Sequence, residues 1–420
     1  MVFSLYRSDG DSLLSLFVPL LGFRRNRSEE LIQRSEKTRM TLLRIGMDGD
    51  ALRAPLSGVG HYVFNLCKEL DVLLPQASFM VYSRLPAEAV RLPSPRWQMR
   101  SEPITALRRL PSFLWFKTRC RAMCKSDGVD VFWAGRTLHP RLDGAVRTVC
   151  TVHDLNYLVV PETMQLQSWW SSRLFFRRDI LNAHCVLTNS YGTADRIRMM
   201  IGAEVSDVVR PGVTWQFHLP PSTGEVEIPE KLARLGVKRP YLLSVATAEP
   251  RKNLDVVLRA FIDLKRGGKL SQHQLVLAGP TGWKNRALKQ RIDEARGLDL
   301  VLAGYLPDEL MPSLYAAADA LVFPSIYEGF GMPVLEARTC GTRVITTDIP
   351  ELREAGDEYV IYVQPTVDGV KAGIMRAIAS PKPPRASYRT WKQSGQILAR
   401  ALCEGRESPV LPVSWSLSKP

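Results

Sequence analysis

Tyr327-Glu-Gly-Phe-Gly-Met-Pro-Val-Leu-Glu336 is the stretch from which the fold is read. An apolar run, Ala320 to Phe323, precedes it, and a helical run after Pro333 stops at Gly341. That order is strand, glycine-rich turn, helix. In open α/β sheets, ligands bind at such turns, beyond the carboxyl ends of strands. The free N–H groups at the helix start favour anions. Glu328 falls in the turn and Glu336 one turn into the helix, so both are able to face one ligand. Paired carboxylates accept the many hydroxyl donors of a polyol. A phosphate near the helix start with a sugar beside it satisfies both halves.

Outward from this stretch, strand and helix alternate along the chain. Leu42–Met47, Ser78–Tyr82, Val129–Trp133, Val146–Thr151 and Cys185–Thr188 read as short buried strands in a first half. Tyr62–Leu73 reads as an amphipathic helix after the loop Asp48–Gly60. Tyr241–Ala246, Gln274–Ala278, Leu298–Ala303, Ala320–Phe323, Arg343–Thr347 and Tyr359–Val363 repeat the pattern in a second half, with a helix at Leu254–Leu264. Such alternation predicts α/β architecture with parallel sheets covered on both faces. The expected division is a tail at 1–40, a first domain at 41–215, a Pro-rich linker at 216–239, a second domain at 240–380, and a C-terminal helix and tail at 381–420.

The chain has 420 residues, a net charge of +14 and seven scattered cysteines. The length suits two domains. The charge calls for an anionic partner. An odd, unpatterned cysteine set fits a reducing cytoplasm. Cys120 and Cys124 lack the second pair that zinc spacing requires. No apolar run is long enough to cross a bilayer. Leu13–Phe23 lacks the features of a secretory signal, and is read as a disordered tail or upstream-start artefact, or else as an interfacial anchor.

Three further motifs sit at strand ends. Thr247-Ala-Glu-Pro-Arg251-Lys252-Asn253 puts two cations at a helix start, where the dipole would select acids unless an anion binds there. Ser57-Gly58-Val59-Gly60 resembles a phosphate-cradling loop, but Val63 stands where a dinucleotide fingerprint wants glycine. His153 and Asp154 follow a strand end, with a solvated turn as the plain reading. From Arg96 to Lys125, eight cations face one acid, with Trp97, Phe113, Trp115 and Phe116 interleaved. This suits an anionic membrane surface, with Trp169 to Arg178 extending it. An ordinary helix with a charged outer face is the competing reading, and nucleic acid ranks last.

Together, Glu328–Glu336, Glu249–Asn253, Ser57–Tyr62 and Thr151–Leu155 resemble the retaining glycosyltransferases of family 4. That family has the GT-B fold, two Rossmann-like doubly wound domains facing a deep cleft. The resemblance implies that Glu336 holds the nucleotide ribose and Glu328 contacts the donor hexose. It implies that Arg251, Lys252 and the N–H groups of Phe330, Gly331 and Met332 receive the diphosphate. Gly58 and Gly60 correspond to the loop that approaches the diphosphate, and His153 to the active-site histidine. It further implies a metal-independent, cofactor-free, mannosyltransferase-like enzyme of surface polysaccharide synthesis. The donor is a nucleotide sugar, with GDP-mannose favoured. The acceptor is a glycan or polyprenyl-diphosphate-linked glycan at the inner face of the membrane. Two departures are Ala246 where many relatives have Gly, and Thr247 where many have Arg. Thr247 is the one support for the alternative, a non-catalytic nucleotide-sugar-binding protein.

Overall fold

Strand β1, Arg44–Asp48, is an interior strand, third in order, of a seven-stranded sheet. β2 (Ser78–Ser83), β3 (Trp97–Ser101), β4 (Val131–Ala134), β5 (Arg147–Val152), β6 (Cys185–Thr188) and β7 (Asp207–Val208) complete it. The order is β3-β2-β1-β4-β5-β6-β7, and every pairing is parallel. A second sheet holds β8 (Tyr241–Val245), β9 (Gln274–Ala278), β10 (Leu300–Gly304), β11 (Ala320–Phe323), β12 (Arg343–Thr347) and β13 (Ile361–Val363). Its order, β10-β9-β8-β11-β12-β13, is the same winding, again wholly parallel. The chain is therefore two Rossmann-like domains. This computed structural model describes residues 43–404 apart from 143, 145, 219–226, 284–285 and 388. The expected tail with Leu13–Phe23, the middle of the expected linker and the residues after 404 lie outside the described residues.

The longer helices are α1 (Gly58–Leu73), α2 (Leu166–Asn182), α3 (Tyr191–Met200), α4 (Leu254–Arg266), α5 (Arg286–Glu294), α6 (Met311–Ala317), α7 (Met332–Thr339), α8 (Pro350–Ala355), α9 (Val367–Ala379) and α10 (Trp391–Cys403). Central strands are continuous apolar runs because helices cover both faces. All four residues of β4 and of β11 are buried. In the second domain, Leu258, Phe261 and Ile374 fill one face of the sheet, and Leu314, Val334 and Leu352 the other. Each such side chain contributes about 1.5–3 kcal/mol on burial.

Two short edge strands, β3 and β7, were absent from the sequence reading. β3 begins the expected basic stretch, and its first residue, Trp97, is buried with its ring stacked on Phe79 at 4.1 Å between centroids. Trp115 and Phe116 are also buried. The lone acid, Glu102, is buried among the cations and accepts from Trp115 Nε1 at 2.8 Å and Arg119 Nε at 3.1 Å. Most aromatics of this stretch therefore form core and are not available to a lipid surface.

The described parts of the linker and of the C-terminal segment pack on the domains. Glu230–Arg234 is helical, and Leu232 and Val237 are buried in the second core. The C-terminal helix α10 returns to pack on α1 of the first domain, where a Cβ on Gly395 would stand 2.4 Å from Glu69 Cβ. The outgoing and returning chains touch at the hinge, where Val213 N donates to Arg389 O at 3.1 Å. Gly212 is required there, since a Cβ would come within 2.3 Å of Trp391 N.

Candidate active site

The strand order reverses at β8 and β11, and ligands of doubly wound sheets bind at that switch point. The turns leaving these two strands carry Arg251, Lys252 and Glu328. Asn253 adopts a left-handed backbone (φ 58°) and donates its side-chain amide to Pro324 O and Pro365 O, at 3.2 and 3.0 Å. It thereby ties the cationic turn to the second domain's other loops. The strand end at Ala246 is close-packed as well. Gly279 and Gly282 abut the carbonyls of Ala246 and Ala248, leaving no room for a Cβ at either glycine.

Glu328 joins both cations. Its Oε2 accepts from Arg251 Nη1 at 3.0 Å and its Oε1 from Lys252 Nζ at 2.5 Å. Arg251 also donates to Tyr327 O at 3.0 Å and to Glu249 Oε1 from Nε and Nη2, at 3.1 and 2.7 Å. Burial opposes ionisation of Glu328, but Lys252 and Arg251 outweigh it and hold the carboxyl below its usual range. Burial, reinforced by Arg251, lowers Lys252 against the pull of Glu328. Burial works against Arg251 too, but Glu328 and Glu249 raise it above its ordinary value. Glu328 was expected at the donor hexose. In this structure both of its oxygens serve the cations.

Gly331 (φ +98°) caps α7, and Pro333 occupies its first turn. The first-turn amides of such a helix, among them Met332 N–H, have no intrahelical acceptor. Glu336, one turn in, accepts from Tyr315 Oη at 2.8 Å. Burial pushes its carboxyl up to about 7, the Tyr315 bond opposes the shift, and Asp308 adds to it. A cavity of about 300 Å³ is lined by Phe330, Leu335, Arg338, Glu354 and Arg389. None of Arg251, Lys252, Glu328 and Glu336 lines it, so it is separate from the cation cluster.

The first domain contributes residues at the ends of β1, β4 and β5. Ser57 caps α1 by accepting from Gly60 N at 3.1 Å. A Cβ on Gly60 would meet Ala51 O at 2.9 Å, whereas Gly58 faces open space. His153 is buried, and its Nε2 lies 2.7 Å from Gly135 O. Because a carbonyl only accepts, Nε2 carries the proton. Burial lowers the pKa of this imidazole below its ordinary value, against the Gly135 contact. The ring is edge-on to Tyr62 at 4.9 Å.

The domains meet here. A Cβ on Gly329 would stand 1.9 Å from His153 O. Thr193 Oγ1 reaches both His153 O (3.3 Å) and Gly329 O (3.2 Å), and Leu155 N donates to Tyr327 Oη at 3.0 Å. Arg196 pairs with Glu351 at 2.6 Å across the same seam. Across another part of the interface, Asp308 stands 3.7 Å from both His61 and Arg91.

One constellation was missed from sequence. Arg136, just after β4, donates to buried Asp48 through Nε (2.6 Å) and Nη2 (3.1 Å). Asp50 accepts from Ser83 and Ser112 hydroxyls at 2.6 and 2.7 Å. These acids sit at the first sheet's own switch point. The signal was an Asp at the end of a strand of otherwise apolar neighbours.

Residues 56–215 match the family described as Glycosyltransferase Family 4, and residues 228–395 match Glycosyl transferases group 1. The two matches follow the two domains, and the chain belongs to the glycosyltransferases built from this pair. It is 27% identical over 345 residues to the O-antigen chain mannosyltransferase B of Escherichia coli, covering 78% of this chain and 89% of that one. In fold it is similar to a sucrose-phosphate synthase from Thermosynechococcus elongatus (TM-score 0.64, 20% identity, 86% and 94% covered). It is also similar to WaaG, a glycosyltransferase involved in lipopolysaccharide biosynthesis (TM-score 0.62, 16% identity, 85% and 95% covered). The expected GT-B architecture and glycosyltransferase class are thus both present, with mannosyltransferase-like sequence.

Proposed function

We propose that this glycosyltransferase moves a hexose, with mannose favoured, from a nucleotide diphosphate sugar to a glycan carried on a lipid diphosphate, with retention at the anomeric carbon. GDP-mannose is the favoured donor, and the likeness to an O-antigen chain mannosyltransferase supports mannose. The observation that carries the reading is the Arg251–Glu328–Lys252 cluster at the β8/β11 switch point, beside the N-terminus of α7.

In this reading the diphosphate lies against Arg251, Lys252 and the amides of Phe330, Gly331 and Met332. Glu336 accepts ribose hydroxyls. As the bond between the anomeric carbon and the phosphate oxygen breaks, negative charge grows on the diphosphate. Preorganised cations and amides stabilise that charge without reorganising. The acceptor hydroxyl oxygen bonds to the anomeric carbon on the same face, and its proton passes to the departing phosphate oxygen. Arg251 and Lys252 supply the positive charge, so no step is assigned to a metal ion. Glu328 holds the two cations in register, with lone pairs left for a sugar hydroxyl. The Gly329–His153 contact closes the site against water.

The test is a donor screen with radiolabelled GDP-mannose, GDP-fucose, UDP-glucose and UDP-galactose, using a synthetic lipid-diphosphate glycan as acceptor. The expected result is transfer from GDP-mannose with an α-anomeric product by NMR. An inverted product, or no transfer from any donor, contradicts the reading.

A further inference from the structure

Helix α2, Leu166–Asn182, is apolar on two faces: Trp169, Phe176 and Ile180 pack on the first domain's core, and a second apolar stripe is exposed. The side chains it buries are Ser172, Asp179 and Ile180. Those it exposes include Leu166 (70%), Trp170 (50%), Leu174 (59%) and Leu181 (45%). At 3.6 residues per turn these four fall within an arc of about 80°. Exposed Arg173 and Arg177 sit within or beside that arc, and exposed Arg178 flanks it. The helix has one acid, Asp179, which is buried and paired with Lys117 at 2.5 Å. That pair, with the Phe113–Phe175 ring contact at 5.5 Å, fixes the helix to the preceding segment and sets exposed Leu114 nearby.

We infer that this face of α2 docks on the surface of a bilayer containing anionic phospholipid. An amphipathic helix with Leu and Trp on one stripe and Arg beside them lies in the headgroup plane, apolar side down. The arginines then meet lipid phosphates, and the chain's charge of +14 favours approach. A contiguous apolar surface rimmed by cations marks an interaction site. A second copy of the chain fits less well, because a like-on-like contact opposes Arg173, Arg177 and Arg178 to themselves. The face contains the Trp169 to Arg178 segment that the sequence reading attached to the basic stretch Arg96–Lys125, whereas Trp97, Trp115 and Phe116 of that stretch are buried. The purpose of docking, access to a lipid-linked acceptor, rests on the proposed function; the binding itself does not.

The test is flotation of the purified full-length chain with vesicles of phosphatidylglycerol and phosphatidylcholine, and of phosphatidylcholine alone. The wild type is expected to float with the anionic vesicles and to be released by raised salt. Trp170→Ser with Leu174→Ser, and separately Arg173→Gln with Arg177→Gln, are expected to lower binding at least about tenfold. Leu166→Gln with Leu181→Gln provides a third variant should either pair fail to fold. Wild-type flotation in all three variants overturns the inference, as does a dimer seen by light scattering that the same substitutions dissolve. Transfer to a short water-soluble glycan acceptor is expected to be unchanged in the variants. Loss of transfer in the wild type would count against the proposed function and leave the flotation result standing.

Discussion

The backbone oxygen of His153 in the first domain and the α-carbon of Gly329 in the second are packed so closely that no side chain fits between them. This contact joins the loop after β5 to the loop after β11, between Tyr327 and the start of α7. Gly329→Ala is therefore expected to hold the domains apart while each domain folds. Transfer kcat/KM should fall at least about 100-fold, the scale of a small misplacement of reacting groups. Nucleotide binding by calorimetry should persist, because Arg251, Lys252 and Glu336 all lie in the second domain. Full transfer activity in Gly329→Ala would show that closure at this point is dispensable.

Glu328 is the shared partner of two poorly exposed cations. Removing one member of a buried ion cluster costs about 3–5 kcal/mol, because the remaining charges are left unpaired. Glu328→Ala is expected to lower the denaturation midpoint on this scale and to reduce turnover about 10²–10³-fold. Glu328→Gln keeps the shape but not the charge, so it should recover part of the stability and little of the turnover. Chemical denaturation and single-turnover transfer measure the two effects separately.

Glu336 titrates near neutrality, about 7 against an ordinary 4.5. The folded chain binds this proton more tightly than the unfolded chain. Its contribution to stability therefore declines as pH rises from about 4.5 to about 7 and is constant above, a change of roughly 3 kcal/mol. Glu336→Gln removes that decline, so the variant should gain stability relative to wild type between pH 5 and pH 8. Donor binding should move the other way. Ribose hydroxyls donate best to the ionised carboxylate, so wild-type affinity should strengthen as pH rises through 7, and Glu336→Gln should lose this inflection. Denaturation and calorimetry at pH 5, 6, 7 and 8 check both signs.

Much of this site was legible because strand-end chemistry is local. The run from Tyr327 to Glu336 and the run from Thr247 to Asn253 each contain a strand end, a turn and a helix start. Their residue types alone place ligand groups at the turn. What stayed hidden was non-local. The pairing of Glu328 with Arg251 and Lys252 depends on β8 lying beside β11, which sequence spacing does not encode. Asp48 and Arg136 meet because β1 neighbours β4. Trp97, Trp115 and Phe116 looked like surface aromatics among cations, but Trp97 is buried against Phe79, Trp115 against Phe116 with its Nε1 on Glu102, and that burial reversed the reading. The segment from Trp169 to Arg178, read with that stretch, divides between two faces: Trp169 and Phe176 pack on the core, and Trp170 and Leu174 stay exposed, a split that depends on where the helix docks.

The return of α10 to the first domain was equally invisible. Gly395 lies against Glu69 of α1, and Trp391 is edge-on to Tyr62 at 5.7 Å. Gly395→Val should push α10 off α1 and destabilise the chain by about 1–3 kcal/mol through overpacking. A denaturation midpoint equal to wild type would show that the contact carries no stability.

In the proposed function, the cations held by Glu328 receive the diphosphate of the donor. A crystal structure of the chain with bound GDP tests it most directly. Diphosphate oxygens are expected within about 3 Å of Arg251 and Lys252, with Glu336 on the ribose hydroxyls. A diphosphate bound elsewhere, with both cations still turned wholly to Glu328, would contradict it.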